Sequence, residues 1–292
     1  MLLRPSDEVA PFRTSTDAPP DSLVLVDRGD GRPLATVPLR AEPARLAYGD
    51  GAFWAAAPED GVVVRVDERT REAKRFPIGD EPYDVAVGGG AVWVPDHDLH
   101  RLFRLDPDTG DLRRTEDFGL PAVAVGYGGG AVWLVVASGD VLRIDPDSLE
   151  VTRTEPRLVV ATENAEPKLA FQDGTVWISS PASTSLARVD ATGSSSAQEA
   201  IGITSVAANE DGVWFGVDSG LLTGVGDEHV EVGTRPLDLG SSDHEVWVAA
   251  YDDRALKRVE SDAGRMTGTV TLGRSPVAVA VGNELVAVAV QS

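Results

Sequence analysis

The sequence predicts an all-β fold, a seven-bladed β-propeller with four-stranded blades, and three observations support this fold class. A unit of roughly 40 residues recurs along the chain, as in propeller repeats. Each unit contains four short strand-like stretches separated by turns, which is the content of one blade. The two ends of the chain supply complementary halves of one further unit.

The tryptophans mark this repeat. All six occupy the same slot, in stretches such as AVWVPD and EVWVAA, and they are Trp54, Trp93, Trp133, Trp177, Trp214 and Trp247. A scattered core would not place every tryptophan in one slot, so we expect them to pack between neighbouring blades. One further period falls near Val286 in ELVAVAV, which is a seventh copy without the aromatic residue.

Each unit reads in the same order. A short apolar run such as EPYDVAVG leads through a glycine turn to the tryptophan strand, and an arginine-containing third strand ends in an acid. We expect these acids to begin the turn before the fourth strand and to accept hydrogen bonds from its backbone amides. They are Asp27, Asp67, Asp106, Asp145 and Asp190.

The glycine run Gly88 to Gly90 is predicted to be the hairpin between the first two strands of blade 2. A phosphate-binding glycine loop would open a helix, and no helical pattern follows this run.

The two chain ends predict how the ring closes. The C-terminus supplies only the first two strands of a unit (SPVAVAVG and ELVAVAV), and the N-terminus supplies only the last two (SLVLVDRG and RPLATVPL). Joined, they complete a seventh blade and leave no free circular edge. We therefore expect a flexible lead-in over residues 1–21 and a single propeller domain over residues 22–292, most simply a monomer. Six blades with loose ends is the alternative.

Composition excludes several classes of function. The formal net charge is −21, which disfavours nucleic acid and anionic membranes as partners. No run of 18 apolar residues occurs, so no membrane insertion is expected in this chain. The chain has no cysteine, which excludes disulfides and thiol catalysis. The compartment stays open, because the lead-in fits both a cytoplasmic chain and the stalk of an extracytoplasmic ectodomain.

The repeat resembles the YVTN/NHL-like propeller superfamily, and most of all its actinobacterial repeats. The matching pieces are EPYDVAVGGGAVWVPD with RLDPDTG, and SPVAVAVG near the C-terminus. The resemblance covers residues ~22–290 and implies the propeller fold. It also implies a sensor or binding role, since such repeats often form those portions of larger proteins.

The same superfamily includes virginiamycin B lyase, a magnesium-dependent enzyme of similar length. That family carries a histidine just after the proline of the innermost strand in late blades. The corresponding positions here are Leu237 and Val277, and neither side chain can act as a general base. We therefore expect a chain without lyase activity.

A site is expected on the face where the loops before the first strand and after the second strand converge on the channel. We predict ligand contacts there, and an acidic face that attracts a cationic ligand. The candidate ligand-binding residues are Arg45, Tyr83, Asp84, Asp96, His97, Lys168, Asp238 and Tyr251. Residues 156–168 form an inserted loop that leads into the same face. A solvated acidic rim without a ligand is the alternative.

Blade 2 carries the densest group of ionisable residues. Asp84, Asp96 and Asp98 are candidates for a divalent-cation site, since such ions prefer oxygen ligands. Strand alternation opposes the grouping, because it turns His97 away from Asp96 and Asp98. No metal-binding motif and no cofactor motif accompanies them, so no cofactor is expected.

Three functions stay open at this point. The first is a non-catalytic recognition or sensor propeller that binds a small cationic ligand or a protein partner. The second is a propeller enzyme of the lyase, hydrolase or cyclase type acting through Tyr83, Asp84, Asp96 and His97. The third is a structural scaffold for protein interactions. Fold alone does not decide among them.

Overall fold

A computed structural model describes residues 11–114, 117–155, 166–183, 185–190, 194–199, 202–225 and 228–291. Within these ranges the protein is all-β, and its one helical segment is a 3₁₀ turn at Pro58–Asp60. None of these residues belongs to a helix with the length and hydropathy that crossing a membrane requires. Residues 156–165 of the inserted loop lie outside the described ranges.

The first fifteen strands are β1 (Phe12–Ser15), β2 (Ser22–Asp27), β3 (Pro33–Pro38), β4 (Arg45–Gly49), β5 (Ala52–Ala57), β6 (Val62–Asp67), β7 (Ala73–Pro77), β8 (Ala86–Gly88), β9 (Ala91–Asp96), β10 (Arg101–Leu105), β11 (Leu112–Arg114), β12 (Ala122–Gly128), β13 (Ala131–Val136), β14 (Val141–Ile144) and β15 (Val151–Glu155). The remaining strands are β16 (Lys168–Gln172), β17 (Thr175–Ser179), β18 (Ser185–Val189), β19 (Ser195–Glu199), β20 (Ile203–Asn209), β21 (Gly212–Val217), β22 (Leu221–Gly224), β23 (His229–Glu231), β24 (Pro236–Ser242), β25 (Glu245–Ala250), β26 (Ala255–Glu260), β27 (Arg265–Thr271), β28 (Pro276–Val281) and β29 (Leu285–Val290).

These strands form seven antiparallel blades, as the repeat predicts. Blades 1 to 6 each use four consecutive strands, from β4–β7 to β24–β27. Blade 7 has the order β28-β29-β2-β3, so the two ends of the chain share one sheet. Ser22 pairs with Val290 and Asp27 with Leu285 along the junction. The first strands of consecutive blades contact one another around the whole ring, including β28 with β4, and they line the channel.

Tryptophans pair with third-strand arginines in five blades, whereas Trp214 of blade 5 lies opposite Gly224. Trp54 lies opposite Arg65, and Trp247 lies opposite Arg258. The guanidinium groups lie 5.7–5.9 Å from the indole rings in the four blades where the contact is resolved. The rings are buried in clusters that join one blade to the next, as expected. Cation–π contact and apolar burial therefore act at the same place in the repeat.

Turn chemistry agrees with the sequence. Gly89 and Gly90, both at positive φ, close the hairpin between β8 and β9, so the glycine run is a turn. The five turn acids accept backbone hydrogen bonds, for example from Asp108 and Thr109 to Asp106. The seventh tryptophan slot falls on Ala287, one residue beyond Val286, because Ala287 pairs with Ala280 as Trp247 pairs with Gly240.

Residues 12–15, within the expected flexible lead-in, form a strand. Strand β1 pairs in parallel with β27 and gives blade 6 a fifth, outer strand. The Phe12 ring lies where side chains on Gly31 and Gly268 would otherwise project. It also lies 4.6 Å from the Arg258 guanidinium. Burial of this single aromatic ring explains why a polar segment is held on the blade.

Candidate functional site

One position of the first strand recurs around the channel. It lies nine residues before the tryptophan slot and pairs with the second residue after that slot, as Arg45 pairs with Ala56 and Asp238 with Ala249. In blade 2 it is Asp84, because Pro82 bridges Asp96 as Pro236 pairs with Ala250. From blade 1 to blade 7 this channel ring is Arg45, Asp84, Ala124, Lys168, Ser205, Asp238 and Ala278.

The channel ring holds two cations and two anions, and it brings together four of the residues proposed from sequence. Lys168 Nζ lies 2.9 Å from Asp238 Oδ1, although the two residues belong to blades 4 and 6. Ser205 of the intervening blade donates to the same Asp238 oxygen at 3.3 Å. Asp84 and Asp238 both act electrostatically on Arg45. The four charges therefore neutralise one another inside the channel.

The two acids also join neighbouring blades. Asp84 Oδ2 accepts a hydrogen bond of 2.9 Å from the Val125 amide of blade 3. Asp238 Oδ2 accepts one of 3.0 Å from the Val279 amide of blade 7. The donors follow the channel-ring positions of those blades, so the two contacts are equivalent in the repeat. Each carboxylate thus satisfies a buried amide, which would otherwise cost free energy.

Burial and charge act in opposite directions on these groups. Burial raises the pKa of Asp84, although Arg45 and Lys168 act to lower it. For Arg45, burial disfavours the charge, but the attraction of Glu166, Asp84 and Asp238 outweighs this and raises its pKa. A buried guanidinium with several carboxylate neighbours stays charged.

The mouth of the channel presents exposed acids, whereas the two cations of the channel ring are nearly buried. The Arg45 and Lys168 side chains are 8% and 14% exposed. Glu166, which pairs with Arg45 at 3.2 Å, is 48% exposed. Glu42 and Glu81 precede the proline of their first strands just as Glu166 does, and Glu42 is exposed as well. Glu166 was not among the sequence candidates, although the repeated Glu-Pro pair marks it.

Tyr83 connects the channel ring to the acidic group of blade 2. The Arg45 guanidinium lies 5.8 Å from its ring centroid, and the His97 ring stacks on it at 5.3 Å. Burial raises the pKa of Tyr83, which keeps the phenol neutral. Tyr83 therefore forms an aromatic wall at the mouth, beside the carboxylates.

Glu81, His97 and Asp98 form the group with possible metal-ligand spacing, since their ligand atoms lie within 4.8 Å of one another. His97 Nδ1 lies 2.9 Å from Glu81 and 3.5 Å from Asp98. Partial burial raises the pKa of Glu81, while His97 acts to lower it. Imidazole and carboxylate ligands suit a divalent transition metal or manganese. The cluster differs from the Asp84, Asp96 and Asp98 set proposed from sequence.

The Asp96 side chain has a structural role. It is fully buried, and its carboxylate accepts backbone hydrogen bonds from Asp80, Glu81 and Leu99 at 2.8–3.2 Å. These bonds fix the loop that enters blade 2 against the loop that leaves β9. Asp84 is likewise held by backbone amides, from Val85 and Val125. Asp96 and Asp84 therefore shape the mouth rather than face its opening.

Tyr251, the remaining candidate, lies in a separate cleft between blades 6 and 7, next to Val277 and Gln291. Leu237 and Val277 occupy bulges at the start of β24 and β28, where the hairpin register shifts. Both pack against the core shared by blades 7 and 1. The two positions that correspond to the lyase histidines are thus filled by aliphatic side chains.

No family model and no curated protein matches the chain in sequence. Solved structures are similar in fold. A catalytically inactive virginiamycin B lyase from Staphylococcus aureus with quinupristin has a TM-score of 0.70 at 11% identity, over 91% of this chain and 98% of the lyase. A streptogramin B lyase has a TM-score of 0.68 at 13% identity, over 92% and 98% of the two chains.

A designed protein is similar as well. The computationally designed Ika8 protein has a TM-score of 0.65 at 14% identity, over 94% of this chain and 92% of that one. These likenesses confirm the β-propeller fold. At such low sequence identities they show the fold and give no basis for assigning an activity to this chain.

Proposed function

We propose that the protein is a non-catalytic recognition module that binds a small organic cation at the mouth of its central channel. One observation carries the proposal: carboxylates at this mouth are exposed, whereas the two cations of the channel ring are buried. Glu166 and Asp98 have side chains 48% and 65% exposed, whereas Arg45 and Lys168 are already paired beneath them. A cation that enters from solvent therefore meets carboxylates first.

Tyr83 supports the same class of ligand. An aromatic ring beside carboxylates favours ammonium groups, because the ring quadrupole and the negative charges act together. The neutral channel ring underneath adds no net repulsion, and it forms a rigid floor that does not have to rearrange on binding. Groups that are held in place before binding reduce the cost of ordering the site around a ligand.

The carboxylates best placed for catalysis accept hydrogen bonds from backbone amides, and this favours recognition over turnover. Asp84 and Asp96 accept five backbone hydrogen bonds between them. A general base needs a lone pair directed at the substrate. The two positions that correspond to the lyase histidines are Leu237 and Val277, which cannot transfer protons.

The test is calorimetric titration with benzylammonium and with spermidine. Glu166→Gln and Asp98→Asn should each weaken binding by roughly fivefold, in line with the loss of one charge-assisted contact. Glu72→Gln is the matched control, because Glu72 is also exposed but lies in a turn between third and fourth strands. Its affinity should equal that of the wild type.

Two other outcomes would overturn the proposal. Conversion of a bound cation that stops in His97→Gln, at unchanged melting temperature, would instead support the enzyme hypothesis. Absence of binding by any organic cation, together with capture of a protein that dissociates on blade-edge substitution, would support the scaffold hypothesis.

A further inference from the structure

A cleft of about 240 Å³ lies beside the channel, between blades 6 and 7. Arg254 and Tyr251 line it from the loop after β25, Arg274 and Ser275 from the loop before β28, and Gln291 from the end of β29. No aspartate or glutamate is among the residues that line it. The cleft is therefore basic, in a chain whose net charge is −21.

Its two arginines lack the carboxylate partners that other cations of this face have. Arg45, Lys168, Arg235 and Lys257 each form an ion pair. Neither Arg254 nor Arg274 forms one within the part of the chain that the structure describes.

The acids beside Arg254 in sequence are already engaged, Asp252 by Arg235 and Asp253 by Lys257. Asp17 approaches the cleft at Gly273 but makes no ion pair with either arginine. Two unpaired guanidinium groups around one concavity favour an anion.

The walls of the cleft are fixed before any ligand arrives. Arg274 Nε donates to the Ala18 carbonyl oxygen at 3.1 Å, which leaves its two terminal nitrogens available. Arg254 has φ +50°, a conformation that costs a non-glycine residue free energy, and its carbonyl accepts from the Leu272 amide at 2.9 Å. Gln291 Nε2 donates to the Pro43 carbonyl at 2.8 Å and ties the cleft to blade 1.

We propose that this cleft binds a small organic anion, through a carboxylate or phosphate group held between Arg254 and Arg274. Guanidinium groups recognise both oxyanions with paired N–H donors, and Ser275 and Tyr251 add hydroxyl groups. The cleft volume exceeds that of a bare oxyanion, so an organic body also fits against Val277. This site goes beyond the proposed function, because its ligand has the opposite charge and does not depend on the channel mouth.

The test is calorimetric titration with inorganic phosphate, phenyl phosphate and benzoate at low ionic strength. We expect millimolar or tighter binding of at least one probe, with heat that falls as sodium chloride rises. Phenyl phosphate above benzoate would identify a phosphate ligand, and the reverse order a carboxylate. Arg254→Gln and Arg274→Gln should each weaken binding about tenfold, which corresponds to one lost charged contact.

Arg265→Gln is the matched control, since Arg265 is exposed but lies at the start of β27 and pairs with Glu260 at 2.9 Å. Its binding should be unchanged, and Arg254→Gln and Arg265→Gln should keep the wild-type melting temperature. Absence of binding by every probe, or equal weakening in Arg265→Gln, would overturn the anion site. The effect of Glu166→Gln on cation binding tests the channel mouth separately. The anion site can therefore be disproved while the cation site is confirmed, and the reverse is also true.

Discussion

Lys168 and Asp238 form an ion pair across the channel, with 2.9 Å between Nζ and Oδ1, although a complete blade separates them along the ring. Both side chains are nearly buried, at 14% and 7% exposure. The pair therefore depends on the packing of three consecutive blades, 4 to 6, and it links side-chain charge to the arrangement of the blades around the channel. Four predictions follow from this geometry and from the inter-blade contacts around it.

The first concerns the cross-channel pair. Asp238→Asn leaves the Lys168 ammonium buried without its partner and should lower the free energy of unfolding by about 3 kcal/mol. The double replacement Lys168→Met with Asp238→Asn removes both charges, keeps an acceptor for the Val279 amide and should restore most of that loss, since burying an unpaired charge is the main cost. Urea unfolding measures both. Equal loss in the single and double variants would show that the charges do not interact.

The second prediction is a pH dependence. Burial raises the pKa of Asp84 above its ordinary value of 3.8, so the folded protein retains a proton that the unfolded chain has released. The protonated Asp84 carboxyl contributes fully to the stability of the folded protein below pH 3.8. This contribution is lost as the pH rises through the pKa that Asp84 has in the folded protein.

The wild type should therefore lose stability relative to Asp84→Asn as the pH rises above 3.8. Urea unfolding of both proteins across this range checks the sign. Glu72→Gln again serves as the control, and a difference between wild type and Asp84→Asn that grows with pH in favour of the wild type would contradict the assignment.

The third prediction concerns the approach of two blades at Gly88. A Cβ atom there would lie 2.0 Å from the Tyr127 ring of blade 3, whereas one at Gly90 would meet no atom within 4 Å. Gly88→Ala should lower the melting temperature and Tyr127→Ala should partly rescue it, because the clash lies between those two side chains. Gly90→Ala should also destabilise through its φ of +67°, but Tyr127→Ala should not rescue it.

The fourth prediction tests strand β1. Phe12→Ala removes the ring that covers Gly31 and Gly268 and contacts Arg258. The free energy of unfolding should fall by about 2 kcal/mol, and Phe12→Leu should cost less because it keeps most of the apolar contact. Limited proteolysis should cut the N-terminal segment faster in Phe12→Ala. Wild-type rates in that variant would show that β1 is held by other contacts.

Much of the fold follows from the sequence because a propeller repeats a local rule. The tryptophan slot, the turn acids and the glycine hairpins each depend on contacts within one blade or with the next one. The composition of blade 7 could be predicted because the two chain ends supply complementary pairs of strands. Strand β1 was not foreseen, because Phe12 is a single aromatic residue in a polar segment and its partner glycines lie far away in sequence.

The candidate site was predictable in part. Arg45, Asp84, Lys168 and Asp238 each lie nine residues before a tryptophan slot, so their common level is readable from the sequence. Their pairing cannot be predicted from the sequence, since Lys168 and Asp238 meet only when blades 4 to 6 are packed around the channel. The sequence places Asp96 among the candidate ligand-binding residues. It does not show that the Asp96 carboxylate is buried among backbone amides, because this burial depends on the conformation of the loop before blade 2.

The most direct test of the account is a crystal structure of the protein soaked with benzylammonium. We predict density for the ammonium group at the channel mouth, within hydrogen-bond distance of Glu166 or Asp98 and with its ring near Tyr83, and no such density in the Glu166→Gln, Asp98→Asn double variant. An empty mouth in wild-type crystals at saturating benzylammonium, or the cation bound elsewhere, would contradict the account.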